Sequence, residues 1–259
     1  MTRAEPAVLA AQGIALSFGG IKVLNDIDVV FQPGEITGLI GPNGAGKTSL
    51  FNCLTGAYRP QKGTIAYGSQ SLDGLPTSDR AARGIVRSFQ TVALCPDLSV
   101  LENVMIGLAR IGGAGWLSAF LPLPDGARER ERMRADARAA LAGLGLADTA
   151  ELLPSMLPPG TLRLVEIARA VVGKPSVLLL DEPAAGLNVA ETRDLMRVLR
   201  ELATPELVMV VVEHDMDLVM SICDRLYVLN FGSFVAHGTP DEVRSNPEVV
   251  RIYLGSEDD

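Results

Sequence analysis

The sequence predicts an α/β fold in which a mostly parallel sheet, a small partly antiparallel sheet near the amino terminus and an inserted block of helices share one chain. Three observations carry that prediction. Residues 8–67 alternate short aliphatic runs with Gly and Pro, as strands joined by turns do. Helical periodicity dominates from Leu98 to about Gly173. From Ser176 onward short apolar runs alternate with helical stretches, the rhythm of βαβ units whose parallel strands are covered on both faces. The expected division is a single domain, residues 1–259, with an α/β core from 1–90 and 174–259 and a helical subdomain from 91–173.

Taken in order, strands are expected at Ile14–Phe18, Ile27–Phe31, Glu35–Ile40 and Thr64–Tyr67, with a helix at Lys47–Leu54 and another strand-like run at Gly84–Phe89. Gly112-Gly113-Ala114-Gly115 and Leu121-Pro122-Leu123-Pro124 read as loop. After them Met133, Ala137, Leu141 and Leu144 recur on one helical stripe, while Arg128, Glu129, Arg130, Glu131, Arg132 and Arg134 form a charged, solvated start. Val177–Leu180 is a buried strand, Ala190–Leu202 a helix and Val208–Val212 a further strand.

Composition narrows the function. Apolar residues make up 47% of the 259, yet the longest aliphatic run, Leu207–Val212, falls far short of the roughly 18 residues a membrane span requires. The amino-terminal stretch is broken by Gln12 and Gly13 and fits a signal peptide poorly, so a cytosolic protein is expected. Three scattered cysteines, Cys53, Cys95 and Cys223, lack metal-ligand spacing and read as packing residues in a reducing compartment. A net charge of −8 argues against a nucleic-acid-binding surface, which gains affinity by replacing counterions with Lys and Arg. Only four lysines occur, which makes the setting of Lys47 informative.

Gly41-Pro42-Asn43-Gly44-Ala45-Gly46-Lys47-Thr48 matches G-x-x-x-x-G-K-[ST] in full, after a strand and before a helix. Glycines let backbone N–H groups curl around phosphate oxygens, and the helix start, including Ser49, turns its positive end toward the same anion. Lys47 adds a point charge for the β- and γ-phosphates, and the Thr48 hydroxyl suits Mg²⁺. Composition alone gives a chance match of roughly 0.004.

Val177-Leu178-Leu179-Leu180-Asp181-Glu182 places two acids at the carboxyl end of a strand, where such sheets bind ligands. Asp181 is a candidate Mg²⁺ ligand and Glu182 a candidate base for the attacking water. His214 follows the strand Val208–Val212 and is either a γ-phosphate donor or a loop histidine satisfied locally. Gln90 positions water, completes a metal shell, or is a surface glutamine.

The order and spacing of the phosphate loop, Gln90, Asp181-Glu182 and His214 resemble the ATP-binding subunit of ABC transporters, over nearly the whole chain. The resemblance implies a P-loop NTPase with a RecA-like core, an antiparallel β-subdomain and an inserted helical subdomain. It implies ATP and Mg²⁺ as cofactors, Glu182 as general base, His214 reading the γ-phosphate, Gln90 in the loop to the helical subdomain, and Phe18 stacking on adenine; a core role for Phe18 stays open. It also implies a second ATP-binding subunit and integral membrane permeases as partners, a solute-binding protein acting indirectly, no nucleic acid, and a place on the inner face of the cell membrane.

Finer likeness is to the branch that serves branched-chain amino-acid uptake. Gly38-Leu39-Ile40, Phe51-Asn52-Cys53-Leu54-Thr55-Gly56, Asp181-Glu182-Pro183-Ala184-Ala185-Gly186-Leu187-Asn188, Glu213-His214-Asp215-Met216 and Tyr253-Leu254-Gly255 look like that branch, as does the enlarged segment Ile111–Arg134. Lipopolysaccharide-export and urea-uptake subunits look similar. One departure stands out: the family's signature loop, typically Leu-Ser-Gly-Gly-Gln, aligns with Leu157-Pro158-Pro159-Gly160-Thr161. Pro158 offers neither a hydroxyl nor an N–H, and Pro159 lacks the N–H, while Gly160 and the helix start still offer amides to a partner's nucleotide. The loop therefore implies a weakened contribution to the partner's site and a non-identical partner, with normal function through Gly160 as the alternative. A non-catalytic ATP-binding regulatory subunit and a soluble ABC ATPase of repair or translation are the rival readings.

Overall fold

Leu9–Phe18 (β1) and Ile21–Phe31 (β2) form a hairpin closed by Gly19-Gly20, both at positive φ as a two-residue turn requires. The computed structural model describes residues 7–88, 93–110 and 124–254. β1 starts five residues ahead of the expected Ile14 because Gly13, at φ 60, sits at a break in register between Ala11 and Ile14, a bulge that carries the strand through. Lys62–Tyr67 (β4) and Gln70–Ser71 (β5) complete an antiparallel sheet in the order β2-β1-β4-β5.

The second sheet holds Ile36–Ile40 (β3), Ile85–Arg87 (β6), Val177–Asp181 (β7), Val208–Val212 (β8), Arg225–Asn230 (β9) and Ser233–Gly238 (β10) in the order β10-β9-β3-β8-β7-β6. All its pairs are parallel except β9 with β10. That hairpin at the sheet edge was not anticipated in the sequence, where Tyr227 and Phe231-Gly232 break a simple aliphatic run.

Strand period two divides the parallel sheet into two packed faces. Ile36, Ile40, Leu178, Leu180, Met209 and Val211 face one core, and Leu39, Val177, Leu179, Val208, Val210 and Val212 face the other. The second core is closed by Lys47–Thr55 (α1) and the antiparallel sheet. The first is closed by Val100–Ile106 (α3), Pro124–Gly143 (α4), Pro159–Val171 (α5), Val189–Leu202 (α6) and Met216–Ile222 (α7). Thr77–Ala82 (α2) precedes β6, and Pro240–Arg244 (α8) and Pro247–Leu254 (α9) follow β10.

The helical stripe falls where the periodicity put it: Met133, Ala137 and Leu141 on α4 and the following Leu144 are buried, while Arg128, Glu129, Glu131, Arg132 and Arg134 are exposed. Cys53 and Cys223 are buried packing residues as expected, but Cys95 is exposed, because it lies in the loop ahead of α3 instead of on a core-facing element. No helix among the described residues is long and apolar enough to cross a membrane.

Candidate active site

β3 ends at Ile40, and the chain turns through residues 41–46 into α1. Gly41 adopts φ 149, and a Cβ there would lie 2.0 Å from the Leu229 carbonyl oxygen on β9, so only glycine lets the two backbones meet. Gly46, at φ 108, is the N-cap residue of α1. It supplies no side-chain cap, and the first turn holds no acid. By contrast α3, α6, α7 and α8 are capped by Ser99, Asn188, Asp215 and Thr239. The start of α1 is thus left without a side-chain acceptor at the place where an anion binds most readily.

Lys47 is 6% exposed, and its Nζ donates to the carbonyls of Gly41 at 2.6 Å and Pro42 at 2.9 Å. Burial lowers its pKa, while the carboxylates of Glu182 and then Asp181 act in the opposite sense. A cleft of about 240 Å³ is lined by residues 43–49, Glu182, His214 and Val23. A larger cleft of about 610 Å³ lies at the amino-terminal ends of β7 and β8, among Leu144, Val172, Lys174 and Leu207. We assign the chemistry to the smaller one, because the phosphate loop and the strand-end residues Glu182 and His214 line it.

Asp181 closes β7 and is 1% exposed. Glu182 follows at φ 47, a left-handed conformation rare for a residue with a side chain and typical of functional turns. Its amide donates to the Val212 carbonyl at 2.9 Å, tying the turn to the end of β8. There His214 Nε2 lies 2.6 Å from Glu182 Oε1, so His214 engages the acid directly, as a simple loop histidine would not. Glu213 is 4% exposed and accepts from the amides of Ala184 (2.7 Å) and His214 (3.1 Å), holding both strand-end turns together. Burial nevertheless pushes its carboxyl above the usual range.

Phe18 is 48% exposed and packs edge-on against Tyr58 at 5.3 Å between ring centroids. That removes the core alternative, although Val23 on β2, and not Phe18, lines the small cleft. Gln90 lies outside the described residues. Gly160 is buried on the first turn of α5, away from this chain's own cleft, and its amide donates to Glu191 Oε1 at 3.0 Å. Glu191 belongs to the capping box that Asn188 forms at the start of α6, so one carboxylate serves two helix ends.

Several participants escaped the sequence reading. Arg87, on β6, donates to Asp181 Oδ2 and Asn52 Oδ1, and its guanidinium lies 5.8 Å from the centre of the Phe51 ring. On α5, Glu166 is almost closed to solvent between Arg163 (2.9 Å) and Arg169 (3.6 Å) and accepts from the Ala93 amide at 2.9 Å. Arg163 also donates to the Glu182 carbonyl at 3.3 Å, and Arg169 to the Ala93 carbonyl at 2.7 Å. This buried triad links the helix after the Pro158-Pro159 loop to the turn at Glu182. In the sequence these three residues show only the i, i+3 spacing of one helix face.

Residues 24–185 match the family described as ABC transporter, and residues 235–259 match the family described as branched-chain amino acid ATP-binding cassette transporter. The chain is 43% identical over 249 residues to the high-affinity branched-chain amino acid transport ATP-binding protein LivG of Escherichia coli, covering 96% of this chain and 98% of that protein. It is 40% identical over 250 residues to BraF of Pseudomonas aeruginosa, a protein with the same description, again covering 96% and 98%. Its fold superposes on the ADP conformation of an ATP-binding cassette of an ABC transporter with a TM-score of 0.83, 30% identity and coverage of 96% and 99%.

Proposed function

The chain belongs to the ABC transporter ATP-binding family, and on that premise we propose how its residues carry out ATP hydrolysis and what that hydrolysis serves. The chain is an ATP-binding and ATP-hydrolysing subunit of an ABC transporter. The observation that carries the residue assignment is the 2.6 Å contact of His214 with Glu182 at the rim of the cleft formed by the phosphate loop.

Residues 41–49 hold the phosphates through backbone amides and the start of α1, and Lys47 turns from the Gly41 and Pro42 carbonyls to the β- and γ-phosphates. Phe18, braced by Tyr58, offers its exposed face to adenine. The donor set suits Mg²⁺: the exposed Thr48 hydroxyl and the buried Asp181 carboxylate are hard oxygen ligands. Among the described residues no three His, Cys, Asp or Glu side chains cluster into an all-protein cage, in keeping with an ion that shares its shell with phosphate oxygens. When bound, the ion neutralises charge on those oxygens. Glu182 accepts the proton of the attacking water, His214 orients Glu182 and donates toward the γ-phosphate, and Gln90 belongs with the metal and water positions. Glu182→Gln is expected to keep ATP binding and to lower turnover by about 100-fold or more; a variant that hydrolyses ATP at the parent rate would remove Glu182 from this role.

The names of the relatives support branched-chain amino-acid uptake as the process powered. The partners are integral membrane permeases on whose cytoplasmic face the chain sits, with a solute-binding protein acting through them. ATP-dependent leucine uptake by vesicles carrying the co-purified permeases tests this cargo. The helices between β6 and β7 form the helical subdomain, residues 91–173, and the remainder the α/β core. The second ATP-binding subunit is non-identical: Pro158 and Pro159 lack amide hydrogens, and the Gly160 amide is already taken by Glu191, so this chain offers a partner's nucleotide few donors.

A further inference from the structure

Asp181 is the most buried acid of the site, and its Oδ2 already accepts a hydrogen bond from a cation. Arg87 reaches it at 2.5 Å, with the arginine side chain 23% exposed and the aspartate 2%. The guanidinium does not hang free. Its other nitrogen donates to Asn52 Oδ1, and its central carbon lies over the Phe51 ring, both residues on α1, the helix that begins at Lys47. Its backbone is fixed in the sheet, where Arg87 pairs with Leu179 in the parallel register of β6 and β7. Arg87 is therefore aimed from three sides at the carboxylate that the site offers to a divalent ion.

A carboxylate oxygen engaged in a charge-assisted hydrogen bond has less electron density to give a metal, and a fixed positive charge beside it repels a second cation. We propose that Arg87 competes with the divalent cation for Asp181, so that loading of the metal with nucleotide must draw Asp181 away from Arg87. The effect is a lowered metal affinity: the ion binds well only when the nucleotide phosphates supply the rest of its shell. Arg87 acts through Asp181 and is a positioning residue, touching none of the reacting atoms. The inference rests on the reading of Asp181 as a metal ligand. A purely scaffolding Arg87, one that merely holds Asp181 in place, predicts the opposite sign, because its removal would let the ligand wander and weaken the metal.

The test uses the full chain saturated with ADP, Mn²⁺ as the metal probe, and electron paramagnetic resonance to count free Mn²⁺. Arg87→Gln is expected to bind Mn²⁺ more tightly by roughly tenfold, the scale of one lost charge-assisted hydrogen bond. Asn52→Ala, which loosens Arg87 and leaves its charge in place, is expected to shift affinity in the same direction by a smaller factor. Affinity in Arg87→Gln equal to or weaker than that of the parent overturns the proposal. If circular dichroism shows that Arg87→Gln has not folded, Asn52→Ala decides by the same sign. Asp181→Asn separates the two layers. Unchanged Mn²⁺ affinity in that variant removes Asp181 as a metal ligand, whereas loss of Mn²⁺ binding there with no tightening in Arg87→Gln leaves the ligand role standing and defeats the competition alone.

Discussion

Glu213 sits one residue before His214 and is almost closed to solvent, and burial raises its carboxyl above the usual range against the two amides bonded to it. From the ordinary carboxylate value of about 4.5 up to that raised value, the folded chain binds more protons here than the unfolded one. The contribution of this group is then lost as pH rises across the window. Urea-unfolding midpoints from pH 4 to 7 should show the parent losing stability relative to Glu213→Gln as pH increases; a difference independent of pH would mean the carboxyl is not shifted. Burial acts on the thiols in the same sense, pushing Cys53 up to about 11 and Cys223 up to about 12. Only the exposed Cys95 should react quickly with a thiol reagent at pH 8, one equivalent in the native protein and three after denaturation. Rapid labelling of a second thiol would show that the core around it opens.

At the scale of single elements, α4 owes its place to a narrow apolar stripe, and Leu141 on that stripe is fully buried. Leu141→Ala should cost about 2–5 kcal/mol in denaturant unfolding; a cost under about 1 kcal/mol would show that the site collapses around the smaller side chain. α5 starts differently from its neighbours, with Pro158 as the N-cap residue and Pro159 in the first turn, which a helix accepts because those positions need no N–H. The Glu191 carboxylate then takes the Gly160 amide, and a Cβ at Gly160 would lie 2.6 Å from Glu191 Cγ, so the two helix starts are locked together. The stripe was legible in the sequence because helical spacing is local. The α5 to α6 contact was not, because Gly160 and Glu191 are separated by β7 and the turn at Glu182.

For the whole molecule, the parallel sheet brings the phosphate loop after β3 and the acid pair after β7 to one edge, with β8 and its His214 between them. The Arg163-Glu166-Arg169 triad joins that edge to α5. On the proposed assignment, a hydrolytic site built from Lys47, Asp181, Glu182 and His214 pairs with a Pro158-Pro159 loop poor in donors, and the motor it implies is asymmetric. Pro158→Ser should then raise the ATPase rate of the assembled transporter, read as turnover with the partner subunit present; an unchanged rate would show that the loop already works through Gly160.

The sequence by itself determined the phosphate loop, the strand ending in Asp181-Glu182 and the α4 stripe, because each depends on residues within one loop, strand or helix, and the order and spacing of such motifs along the chain carried its ABC character. It also located His214, but left open what that residue does. Tertiary structure alone decided that His214 meets Glu182, that Phe18 is exposed, that Arg87 holds Asp181 and that Glu191 covers Gly160. The physical reason is the same in each case: a parallel sheet joins strands far apart in the chain, and a buried charge takes its partner from whichever side chain the sheet register and helix packing bring within hydrogen-bonding reach.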